Sequence, residues 1–241
     1  MATETVEAVE YLPQVAPSSW GVETHNLLMR HRDGAADKLM VVLPGEYYSA
    51  DRPVLDYVRK MGFQRGYDVF SVQYGFQAAG VRLDRSGLPR LQDETLAVVG
   101  STLAGYRSFC FVGKSLGTPL AVELARRTTA GTDAGPRPGP GASAGAAPGK
   151  PSGTAVSLIL LTPVPRAVAE DTGAAPALAV IGTADPFYSD PDIQAALGRR
   201  GVEWRVFPGL NHSLEVPGDW RASVAVLPQV LAACDDFLAR I

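Results

Sequence analysis

Ser108-Phe109-Cys110-Phe111-Val112-Gly113-Lys114-Ser115-Leu116-Gly117 is the stretch on which the reading of the whole chain turns. Ser108–Val112 is a short, nearly continuous apolar run, the pattern of a strand buried on both faces. The amphipathic stretch Leu116–Arg127 follows at once with helical spacing. Strand must therefore become helix across Gly113-Lys114-Ser115-Leu116-Gly117. So sharp a turn brings two backbones together, and small residues have to flank its central serine. The turn would hold the Ser115 hydroxyl clear of the sheet at a helix N-terminus. Free N–H groups and the helix dipole there favour a developing negative charge. The competing reading is an ordinary tight turn with an incidental serine.

Gly113-Lys114-Ser115 also has the ending of a phosphate-binding loop. That loop needs a glycine five residues before Gly113, where Ser108 stands. The residues between, Phe109 to Val112, form a strand and cannot cradle a phosphate.

Outward from this turn, short apolar runs alternate with amphipathic stretches. Lys38–Leu43 is followed by a helical pattern over Pro53–Gly62, and Tyr67–Val72 by one over Asp93–Gly105. Val156–Leu161 has a short connection to Ala177–Ile181, which precedes a helix over Pro191–Arg200. Glu203–Phe207 precedes a last helix over Arg221–Ile241. Such alternation predicts an α/β fold: a mostly parallel sheet of about eight strands with helices on both faces. Val6–Leu12 and Val22–Arg30 precede the pattern and are expected as an antiparallel edge.

The chain has 241 residues, of which 46% are hydrophobic and 20% charged, with a formal net charge of −3. It can bury enough apolar surface to fold, and a single domain over residues 1–241 is expected. The composition holds 25 Gly and 19 Pro, and 12 of these fall in residues 131–153. That segment is expected to be a flexible insertion. Thr162–Pro176 is too short for a cap domain, so the site should be lidless. The insertion should emerge on the sheet edge opposite the serine.

No apolar run is long enough to span a membrane, and the acidic N-terminus is not expected to be a signal peptide. The mild negative charge gives no footprint for nucleic acid. Cys110 and Cys234 cannot make a disulfide framework and read as buried thiols. The expectation is a cytoplasmic protein with no membrane or nucleic-acid partner. Its oligomeric state is unreadable.

A serine nucleophile needs a base. His25 and His31 lie on or beside the N-terminal edge strands and are expected at the surface, away from the elbow. His212 sits in the loop directly after the last expected strand, on the same sheet edge as Ser115. Asp185, just past Ala177–Ile181, would orient it. The chain order is Ser115, Asp185, His212. Each residue alone has an ordinary alternative, a helix cap for Asp185 or a solvated loop side chain for His212. Their joint placement is what points to chemistry.

The segments VVLPGEYYS, FCFVGKSLGTPLAVELA, LAVIGTADPFYS and PGLNHSLE resemble the α/β-hydrolase superfamily over nearly the whole chain. Within it the chain looks like small lidless bacterial members with an LPG-x-x-Y-S segment, a GKSLGT elbow and an HSLE ending. The resemblance implies a serine hydrolase with Ser115 as nucleophile, His212 as base and Asp185 as acid. It does not imply a substrate.

One oxyanion donor is expected to be the N–H of Leu116, the other the N–H of Glu46 in Pro44-Gly45-Glu46-Tyr47. An inward Glu46 carboxylate would repel the oxyanion, so the side chain is expected in solvent or paired with an arginine. Lys114 is expected to point outward; turned inward it would be a second base or a carboxylate anchor. Tyr47, Tyr48, Tyr74, Phe76, Phe187 and Tyr188, with Leu116 and Val164, are candidates for the substrate walls. Half of them would serve equally to pack loops on the sheet. No metal or cofactor is expected. The expected activity is hydrolysis of a small ester through an acyl-enzyme. The alternatives are an acyltransferase or thioesterase with the same triad, and a binding protein with a residual one.

Overall fold

The computed structural model describes residues 9–32, 34, 36–131, 154–169, 175–199 and 201–241. Its strands are β1 (Val9–Pro17), β2 (Glu23–His31), β3 (Lys38–Leu43), β4 (Tyr67–Ser71), β5 (Ser108–Lys114), β6 (Ala155–Leu161), β7 (Ala177–Gly182) and β8 (Val202–Phe207). They form one sheet in the order β1-β2-β4-β3-β5-β6-β7-β8. β1, β2 and β4 pair antiparallel and every pair from β4 to β8 is parallel. This is the mixed sheet that the strand–helix alternation predicts.

Side chains of successive strand residues point to opposite faces, and both faces are covered. Leu39, Val41, Leu43, Phe109, Phe111, Leu158 and Leu160 pack on one face. There they meet α3 (Leu88–Gly100) and α4 (Gly117–Ala130). Met40, Val42, Cys110, Val112, Ile159 and Leu161 pack on the other. There they meet α1 (Pro53–Gln64) and α7 (Trp220–Leu238). The central strands read as unbroken apolar runs because neither face sees water.

Several elements differ from the sequence expectation. The helix expected over Asp93–Gly105 is α3, five residues or so earlier. Pro89 suits a first helical turn, Leu91, Thr95, Leu96 and Val99 make its buried face, and the chain has left the helix before Gly105 at φ 95°. β1 runs on to Pro17, because an edge strand with one neighbour tolerates Pro13 and Pro17. Val6 to Ala8 of the expected first strand lie outside the described residues. α2 (Gly75–Ala78) has four residues and is too short to show a period, whereas α5 (Pro165–Ala169) is the one short helix for which Thr162–Pro176 has room. α6 (Pro191–Leu197) stops before Gly198. In α7, Pro228 breaks one helical hydrogen bond but sits on the exposed side.

Of the expected insertion, residues 131–153, all but Gly131 lie outside the described residues. Its flanks do not: α4 ends at Gly131, and Thr154 leads into Ala155, which pairs with Ser108 at the start of β5. Thr129 and Thr154 line a common hollow with Ser108 and Ile241 at that edge. No helix among the described residues is long and apolar enough to cross a membrane.

Candidate active site

The elbow forms because two glycines allow it. A Cβ on Gly113 would lie 2.5 Å from the Gly117 carbonyl oxygen, and one on Gly117 would overlap the Leu43 carbonyl. Ser115 between them has φ 51°, a left-handed conformation that costs a non-glycine residue about 1–3 kcal/mol. The turn is held by Ser115 N donating to the Leu161 carbonyl at 3.0 Å and by Thr118, whose N–H (2.9 Å) and hydroxyl (2.6 Å) both donate to the Ser115 carbonyl. α4 therefore starts directly behind the hydroxyl.

His212 meets that hydroxyl: Nε2 is 2.7 Å from Ser115 Oγ, and Nδ1 is 2.7 Å from Asp185 Oδ2. The Asp185 side chain is fully buried and that of His212 is 32% exposed. The second Asp185 oxygen accepts the Phe187 N–H at 2.9 Å. Phe187 stands edge-on to the His212 ring, with centroids 5.4 Å apart. The two loops are fastened together, since Ala184 N donates to the Leu210 carbonyl at 3.0 Å. The His212 loop is also braced from within, by Asn211 Oδ1 accepting the N–H groups of Ser213 and Glu215.

The loop after β3 closes the other side. Gly45 N donates to the Tyr48 carbonyl at 2.9 Å, and a Cβ on Gly45 would stand 3.5 Å from Ser115 Cβ. The N–H groups of Leu116 and Glu46 make no backbone hydrogen bond among the described residues. Gln77 of α2 donates through Nε2 to the carbonyls of Gly45 (2.9 Å) and Glu46 (2.7 Å). Tyr74 donates its hydroxyl to the Pro44 carbonyl at 3.0 Å. Gln77 was not a sequence candidate. Its distance from the elbow in the chain hides it, and no local pattern marks it.

The expected substrate walls divide. Tyr74 is buried, with its hydroxyl pushed well above the usual range by desolvation, and it fastens the loop instead of facing a ligand. Tyr48 is also buried, and its oxygen accepts the Val54 N–H at the start of α1. Phe76 packs beneath the loop against Tyr74 and Trp20. Tyr47 is exposed. Phe187 and Tyr188 pack on a small cluster of Val168, Ile181, Ile193 and Ala196. A hollow of about 670 Å³ lies beside the loop, with Glu46, Tyr47, Tyr48, Phe76 and Gln77 in its walls. Ser115 and His212 are not among its lining residues. The Glu46 side chain is half-buried and lines that hollow. It makes no ion pair among the described residues.

Lys114 departs from expectation. It shares the strand parity of Cys110 and Val112, so it points into the α1/α7 face. It is 1% exposed, its Nζ donating at 2.5 Å both to Thr162 Oγ1 and to the His212 carbonyl, 4.9 Å from the centre of the Tyr48 ring. Burial pushes its pKa down to about 7, against the opposing pull of Asp185 and Glu215. Cys110 and Cys234 are buried free thiols, each pushed up to about 12 by desolvation.

Of the remaining histidines, His25 is exposed as expected but is placed on a different edge. His25, at the start of antiparallel β2, sits on the carboxyl edge of the parallel strands and lines the hollow beside Glu46. Its expected separation from that edge is thus wrong, because β2 runs the other way. His31 lies away from the elbow as expected, on the opposite edge, where its Nδ1 is 3.0 Å from Asp68 Oδ1 and its ring stacks on Phe63. Among the described residues no group of three or more His, Cys, Asp or Glu side chains could hold a metal ion.

No protein-family model and no curated protein matches the chain. Solved structures do. A dienelactone hydrolase from Anabaena variabilis superposes with TM-score 0.59 at 17% identity, over 94% of this chain and 96% of the other. A lidless α/β serine hydrolase from Xanthomonas campestris gives TM-score 0.58 at 14% identity, covering 95% of each chain. An esterase from Pyrococcus furiosus gives 0.59 at 13% identity, over 100% of this chain and 96% of that one. The chain has the α/β-hydrolase fold.

Proposed function

We propose that the protein is a serine hydrolase that cleaves a small ester through an acyl-enzyme. The observation that carries the reading is the His212 imidazole, 2.7 Å from Ser115 Oγ on one side and from Asp185 Oδ2 on the other. His212 takes the Ser115 proton as Oγ attacks the carbonyl carbon, and Asp185 stabilises the imidazolium. The tetrahedral oxygen receives the N–H groups of Leu116 and Glu46 at the positive end of α4. His212 then returns its proton to the departing alkoxide. Water attacks the acyl-enzyme through the same base and frees Ser115.

The fold alone does not carry function, since one fold hosts many chemistries; the constellation does. The open setting of His212 suits a small substrate held over little area. The hollow beside Glu46–Tyr48 is the proposed seat of the part of the substrate that extends past the oxyanion loop. The reaction as proposed uses side chains and water, without cofactor or metal. A cytoplasmic setting belongs to the same proposal, in keeping with two buried free thiols.

The test is hydrolysis of short p-nitrophenyl esters, with labelling by a fluorophosphonate probe. Wild type should turn over the esters and be labelled at Ser115, and Ser115→Ala should do neither. Folded wild type that is inert to both would overturn the proposal.

A further inference from the structure

Lys114 is a costly residue where it stands. A long cationic side chain is 1% exposed at the end of a core strand, directly before the elbow serine. Burying an amine of this kind is unfavourable unless its protons are placed, and here they are. Nζ donates to Thr162 Oγ1 and to the main-chain carbonyl of His212, both at 2.5 Å, and faces the Tyr48 ring at 4.9 Å. Thr162 caps β6 with φ 45° and is fixed by its own N–H donating to the Val180 carbonyl at 2.7 Å. One end of the link is therefore rigid sheet. The other end is the residue whose ring bridges Ser115 and Asp185.

We propose that Lys114 is a positioning residue for His212, tying the His212 carbonyl to Thr162 at the end of β6 and so holding the imidazole between Ser115 and Asp185. The inference rests on the proposed triad and extends it. The geometry explains why the link runs to the main chain. A hydrogen bond to a ring nitrogen would compete with the proton transfer, whereas one to the carbonyl fixes the residue and leaves both ring nitrogens free to act.

A neutral amine has two N–H groups and can satisfy both oxygens. The ammonium has a third, which meets the face of the Tyr48 ring. The tether thus survives a change of charge on Lys114. The groups that face Lys114 are Tyr48 after β3, Thr162 after β6, Asp185 after β7, and His212 and Glu215 after β8. Asp185 and Glu215 pull the Lys114 pKa upward, against its burial. While Lys114 carries its proton, its charge opposes a second positive charge on the imidazole.

Lys114→Met keeps most of the length and removes both hydrogen bonds and the charge. The expected result in folded protein is a fall in kcat of about 10–100-fold with KM within about twofold, because a base displaced by a fraction of an ångström loses rate, not binding. The acidic limb of kcat/KM should move to higher pH. The downfield proton resonance of His212 Nδ1–H, bonded to Asp185, should weaken or shift. Wild-type kcat within about threefold together with an unchanged downfield resonance would overturn the inference. A rise in KM at unchanged kcat would also overturn it, by making Lys114 a substrate anchor.

If Lys114→Met does not fold, Thr162→Val removes one end of the tether and keeps the amine. It should lower kcat at constant KM, and an unaltered kcat there would count against the tether. The resonance comparison needs no turnover. An inert wild type would therefore defeat the proposed hydrolase while the tether itself was still put to the test.

Discussion

The α-carbon of Gly182 sits against the main-chain carbonyl of Leu210, so close that a single methyl on Gly182 would overlap it. Gly182 ends β7 three residues before Asp185, and Leu210 lies two residues before His212. The contact sets the spacing of the two loops that meet at the imidazole. Gly182→Ala should push them apart, destabilise the protein by about 1–3 kcal/mol and lower kcat in the protein that stays folded. Thermal melts with ester kinetics check this; an unperturbed kcat would show that the loops do not need the contact.

The three residues of the proposed triad are expected to act as one unit. Asp185→Asn, His212→Ala and Ser115→Ala should each lower kcat by about 10³-fold or more, and the double variant His212→Ala/Ser115→Ala should be scarcely worse than either alone. Additive losses would argue that they do not share a step.

Gln77 holds the carbonyls of Gly45 and Glu46, and so the direction of the Glu46 N–H. Gln77→Leu should cut kcat by about 10-fold or more while leaving the fold intact, since a lost or misaimed oxyanion donor costs up to about 10²–10³. Steady-state kinetics on a short p-nitrophenyl ester decide it. A variant at wild-type kcat would mean that the loop holds its shape without Gln77, through Tyr74 and the Gly45–Tyr48 turn.

The pKa of Lys114 in the fold, about 7, lies below the 10.5 of a free lysine. Between those values the unfolded chain binds more protons than the folded one, so folding becomes more favourable as pH rises through that window. The stability of wild type relative to Lys114→Met should therefore increase from pH 7 to pH 10.5, and flatten beyond it. Urea unfolding of the two proteins at matched pH measures the difference, and a constant difference would refute the assignment.

Gly131 and Thr154, which bound the expected insertion (residues 131–153), both lie at the sheet edge opposite Ser115. Replacing residues 132–153 with a short Gly/Ser linker should leave kcat/KM unchanged. A large loss in folded protein would give the segment a part in the site.

The sequence by itself determined the parts of this protein that depend on neighbours along the chain. The apolar run Phe109–Val112 and the glycines at 113 and 117 fix a strand, a sharp turn and a helix, because strand burial and turn sterics are local. The same locality put Asp185 and His212 just past the strands that precede them, and strand order then set them on the Ser115 edge. The tertiary structure decided what lies across the sheet. Lys114 turned inward because strand parity aims it at the α1/α7 face, where Thr162 and the His212 carbonyl, contributed by β6 and the β8 loop, supply the oxygens its amine needs. Tyr74 and Gln77 became fasteners of the Pro44–Glu46 loop for the same reason: their partners are carbonyls some thirty residues away in the chain. His25 reached the edge near Glu46 because β2 runs antiparallel to β4. A hydrogen bond between distant segments leaves no spacing in the sequence. It exists only once packing has brought a donor and an acceptor into the same low-dielectric place, where leaving either unpaired would be costly.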